Sequence, residues 1–77
     1  MPRMASQKID PQRMFEARSA RGLSQEELAR RIGCSLGAVG GWERGTRNPS
    51  AESLVLLASA LRKPEAFFHA SNGEVAA

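Results

Sequence analysis

The 77-residue sequence predicts an all-α fold, one compact domain of five short helices. Three observations lead there. Helix-capping residues punctuate the chain, apolar residues between them recur at helical spacing, and no segment alternates apolar and polar residues as a half-buried strand would. There is no internal repeat or low-complexity stretch, and 42% apolar residues suffice for a single modest core.

Asp10-Pro11 pairs an N-cap with a proline at the first helical position, where the missing N–H costs nothing, and predicts a first helix from Pro11 to Arg21 closed by Gly22. Ser24-Gln25-Glu26-Glu27 is a capping box that starts a second helix, with Leu28, Ala29 and Ile32 at helical spacing and Gly33 at its end. Ser35 caps a third helix that Gly45 closes. Asn48-Pro49 is a turn, and Ser50 caps a fourth helix with Leu54, Leu57, Ala58 and Leu61 in one stripe. Pro64 opens a short last helix through Phe67 and Phe68. The expected organisation is a flexible basic arm over residues 1–9, the folded domain over 10–70, and a disordered tail over 71–77.

Composition excludes several classes of function. One cysteine, Cys34, allows no internal disulfide and points to a reducing compartment, and with one histidine, His69, it cannot complete a four-ligand zinc site. Neither offers a nucleophile–base pair, so an enzyme is not expected, and no cofactor, metal or small-molecule ligand is evident. The longest apolar run, Leu54 to Ala58, is far below the roughly 20 residues of a membrane span, and the first residues do not read as a signal peptide. A cytoplasmic protein is expected. Eleven Lys and Arg against eight Asp and Glu give a net charge of +3, which suits an anionic partner.

Two helices joined only by Gly33-Cys34-Ser35 must cross steeply, at about the 90–120° of a helix-turn-helix. Ala29 is small where the third helix approaches, Gly33 suits a left-handed turn, and Val39 and Trp42 supply the inward face of the third helix. Cys34 reads as a small apolar plug rather than a reactive thiol.

The segment Gly22-Leu23-Ser24-Gln25-Glu26-Glu27-Leu28-Ala29, then Trp42-Glu43-Arg44-Gly45 and Asn48-Pro49-Ser50, resembles the lambda-repressor-like (XRE) family of helix-turn-helix domains over about residues 11–68. The resemblance implies five helices, the third entering the major groove of double-stranded DNA, and a homodimer on a two-fold-related operator, acting as a transcriptional repressor. It also implies roles for individual residues. Gln25 would touch a phosphate and brace the third helix. Arg18 and Glu43 would form a structural ion pair between the first and third helices. Arg44, Arg47 and the Asn48 backbone would grip phosphates, a task that suits the planar arginine fork. Arg3, Lys8 and Arg13 could add a basic arm, or could simply be solvated. The family commonly ends its fourth helix on glycine. Arg62 stands there instead, so a different ending is expected, with Pro64 as the stop.

The third helix departs from the pattern. With Val39 and Trp42 inward, its outer stripe is Leu36, Gly37, Gly40, Gly41 and Arg44, beginning beside Ser35. Three glycines offer no donor or acceptor to a base edge, and they cost the helix about 3 kcal/mol against a typical total of about 5–15. Two readings stay open. In one, Leu36 meets thymine methyls, the arginines hold phosphates or one base, and DNA shape supplies the remaining selectivity. In the other, the fold is a protein-interaction module or antitoxin-type partner, its smooth glycine face accepting a partner helix. Val55 and Leu56 lie off the fourth helix's core stripe, and with Phe67 and Phe68 they form the candidate dimer interface. The alternative for the two phenylalanines is that they close the end of the core.

Overall fold

The computed structural model describes residues 8–69 and contains five helices: α1 Pro11–Ala20, α2 Gln25–Ile32, α3 Leu36–Arg44, α4 Ala51–Leu61 and α5 Glu65–Phe68. Each start is made by the local chemistry of the residue before it. Asp10, Ser24, Ser35 and Ser50 are extended, and their side chains accept from the backbone N–H of Gln12, Glu27, Ala38 and Ser53. The capping box is complete, because Glu27 also accepts from the Ser24 N–H at 2.8 Å. Those bonds hold the Glu27 carboxyl below its ordinary pKa. Gly33 and Gly45 end α2 and α3 at φ of 74° and 82°, where a side chain would be strained.

The helices close round one core. Met14 and Ala17 of α1, Leu28 and Ala29 of α2, Ala38, Val39 and Trp42 of α3, Leu54, Leu57 and Leu61 of α4, and Phe68 of α5 are all buried. α3 packs on both α1 and α2, α4 packs on α2, and α5 bridges α1 and α4. Cys34, in the turn between α2 and α3, is half-buried against this core, and burial pushes its thiol pKa up. Among the described residues no helix is long and apolar enough to cross a membrane.

Three expectations from the sequence need correction. The arm does not run through residue 9. Ile9 is buried in the core, its N–H donates to Asn48 Oδ1 at 3.2 Å, and Lys8 O accepts from His69 Nδ1 at 2.6 Å. An isolated apolar residue outside any periodic segment carries no local sign of burial, and here the partners, Asn48 for Ile9 and His69 for Lys8, are brought in by the fold. The remainder of the arm, with Arg3, and the tail over 71–77 lie outside the described residues.

Arg62 is the second. It takes the left-handed conformation that the sequence argued against, at φ 57° and ψ 46°. Two N–H groups hold it there: that of Arg62 reaches the carbonyls of Ala58 and Ser59, and that of Lys63 reaches Ala58 O at 3.1 Å. Satisfying the last carbonyls of α4 outweighs a side-chain strain of about 1–2 kcal/mol. Phe68 is the third. It is wholly buried, with its carbonyl accepting from the Asp10 N–H at 2.8 Å, and so is a core residue rather than an interface residue.

Candidate nucleic-acid interface

One carboxylate fixes α3 on its two neighbours. Arg18 of α1 donates from Nε to Glu43 Oε2 at 2.6 Å and from Nη2 to Oε1 at 3.0 Å, a two-pronged pair. Its remaining nitrogen, Nη1, donates to Leu23 O at 2.8 Å, tying in the loop before α2. Gln25, the first residue of α2, donates from Nε2 to Glu43 Oε1 at 3.0 Å. The paired side chains are only 14% and 7% exposed, so water screens them little. The bond to Glu43 raises the Arg18 pKa further above its ordinary value, against an opposing effect of burial. Sequence reasoning named Arg18, Glu43 and Gln25 but missed the Leu23 carbonyl, because a backbone acceptor leaves no trace in residue type.

With its inner side fastened, α3 turns Ser35, Leu36 and Gly37 outward. Leu36 is 51% exposed, and Gly37 has open space beside it apart from Ser35 Oγ. The Ser35 hydroxyl accepts from the Ala38 N–H at 3.1 Å, so it is committed to capping.

Gly40 and Gly41 do not form the smooth bare surface expected from the sequence, since both are buried. A Cβ placed on Gly40 would stand 2.9 Å from Arg44 Nη1 and 3.8 Å from Gln25 Oε1. One on Gly41 would stand 2.6 Å from Arg47 Cδ and 2.8 Å from its Cγ. Two arginine side chains therefore lie where helix side chains would ordinarily project, and no flat glycine face remains for a partner helix. The geometry has a simple origin. Residues four apart share a helix face and side chains lean toward the N-terminus, which lays Arg44 over Gly40. After Gly45 the chain winds back around the Gly41 carbonyl, which accepts from the N–H groups of Gly45, Thr46 and Arg47, and this returns Arg47 to Gly41.

The other candidates are dispersed. Asn48 is exposed, with its side chain holding the Ile9 backbone. Arg13 lies over the Phe67 ring at 4.7 Å, which Lys63 also faces at 4.9 Å, so half-buried Phe67 is occupied by cations of its own chain. Val55 and Leu56 remain 51% and 44% exposed on α4.

Residues 14–68 match the model of the helix-turn-helix family HTH_3, an XRE-type family. The chain belongs to this family. An uncharacterised transcriptional regulator from the ATPase CF(0) region of Rhodospirillum rubrum is 44% identical over 57 residues, covering 74% of this chain and 53% of that protein. The chain thus spans about half the length of that curated relative. Among solved structures, the restriction-modification controller protein C.AhdI of Aeromonas hydrophila is 45% identical with a TM-score of 0.71, over 75% of this chain and 88% of that one. An HTH_3 transcriptional regulator of Vibrio cholerae is 29% identical with the same TM-score, over 84% of this chain and 36% of that one. The helix-turn-helix chain is thus an all-α member of a family of transcriptional regulators, as the motifs around Ser24 and Trp42 implied.

Proposed function

We propose that this protein binds double-stranded DNA as a homodimer, laying α3 of each protomer in the major groove of one half-site and repressing transcription. The observation that carries the reading is the clamp of Arg18, Gln25 and Glu43. It holds α3 rigidly on α1 and α2 while the opposite face, with Arg44 and Arg47, stays open to an anionic partner. Rigid placement matters because groove contacts tolerate little misalignment. Val55 and Leu56, exposed side by side on α4, supply an apolar patch that a two-fold axis would cover. The similarity to C.AhdI, along 88% of that chain, favours the specific role of a restriction-modification controller.

A salt series on a duplex taken from a random pool tests the reading. With the cationic face of each protomer laid against the phosphates, affinity should fall at least about tenfold between 50 and 200 mM salt. Affinity that does not change with salt would overturn it. Sedimentation of the same complex should give two chains per duplex.

A further inference from the structure

We propose that Gly40 and Gly41 are seats for Arg44 and Arg47, and that these two arginines, lying back over the outer face of α3, read guanine in the major groove. The proposal rests on the reading that this face meets DNA.

The face itself leaves few other groups for the task. Leu36 and Gly37 have no polar side chain, Ser35 is committed to its cap, and Gln25 Nε2 is held by Glu43. Among the described residues, the side-chain donors left over the outer face of α3 are those of the two arginines. Both occupy space over the middle of the helix rather than extending from its end, and both do so only because no Cβ stands beneath them. At Gly41 the conflict involves the stem of Arg47, since Cβ, Cγ and Cδ would all lie within 3.2 Å of an added carbon. A methyl group there must displace the whole side chain, not merely its tip. At Gly40 the atom in conflict is the terminal Arg44 Nη1, with Gln25 Oε1 beside it, so the guanidinium and an amide oxygen share one seat. A guanidinium fork matches the O6 and N7 acceptors of guanine, the pairing most used by arginine in the major groove. The glycines then have a function that offsets their cost in helix stability: each gives up a short side chain so that a long cationic one can lie across its position.

The test is a selection from random duplexes by the full chain, followed by titration of Arg44→Ala, Arg47→Ala, Arg47→Lys, Gly41→Ala and the Gly41→Ala/Arg47→Ala double variant. On the selected duplex, either arginine-to-alanine change should weaken binding about five- to hundredfold. The loss should nearly vanish on a duplex whose selected G·C pairs are replaced by A·T. Arg47→Lys keeps the charge but not the fork, so it should retain the salt dependence and lose the guanine preference. Gly41→Ala should weaken the wild-type background and have no further effect beside Arg47→Ala, the signature of coupled residues. Equal effects of Gly41→Ala in both backgrounds, or arginine variants that weaken all sequences alike, would overturn the proposal and leave backbone binding intact. Wild-type protein that selects nothing and shows no salt-dependent binding would overturn the DNA reading and the proposal together.

Discussion

The inner face of α3 sets Ala38, Val39 and Trp42 into the core and holds Glu43 against Arg18 and Gln25, whereas its outer face carries Leu36, three glycines and two overlying arginines. The inner face is defined by its own side chains, each in contact with a neighbouring helix. The outer face is defined by the lack of side chains at three positions and by residues that reach in from the helix end. A helix can be fastened through one side and left adaptable on the other, because fastening needs dense packing and groove contacts need long groups free to meet a second molecule. That difference predicts opposite responses to substitution on the two faces.

The largest effect should come from the inner face. Trp42→Ala removes the biggest side chain that α3 contributes to the core and should cost about 3–5 kcal/mol, read from a urea or guanidinium midpoint. A loss below about 1 kcal/mol would mean that α3 is not fastened by packing. Glu43→Gln should cost about 2–3 kcal/mol, since it leaves the Arg18 cation nearly buried without its counter-charge. The bond from Arg18 to the Leu23 carbonyl keeps the cost below that of a fully orphaned charge. If Glu43→Gln is neutral in thermal melts, the clamp contributes orientation alone. The smallest change, of opposite sign, belongs to the outer face. Gly37→Ala places a methyl group in open space and should stabilise by about 0.5–1 kcal/mol. Gly37 and Gly41, four apart on one stripe, thus separate a glycine with room beside it from one whose space is taken.

Much of the fold was legible in the sequence because helix ends are local events. Ser24, Ser35 and Ser50 bond to backbone three residues on, and Gly33 and Gly45 adopt left-handed conformations that residues with side chains reach only under strain. The core stripe of α4 was equally plain, since Leu54, Leu57 and Leu61 repeat at the helical period. Adjacent Phe67 and Phe68 were not distinguishable, because in a four-residue helix one residue of rotation exchanges inside for outside. Arg62 misled for a related reason. Conformational preference argued against a left-handed arginine, but the hydrogen bonds that reward it are seen only once α4 and the following turn are placed together.

The sequence by itself determined where most of the helices begin and end, which residues of α2, α3 and α4 turn inward, and, through the resemblance, that Arg18 pairs with Glu43 while Gln25 braces the third helix. These follow from caps, period and a specific resemblance, all of which can be read within a few residues. Only the tertiary structure decided that Ile9 joins the core, that Phe68 is sealed within it, and that Gly40 and Gly41 lie under arginines. Each of those depends on where a side chain comes to rest relative to residues brought near it by the fold, or by the turn that ends α3. Spacing along the chain carries no record of that.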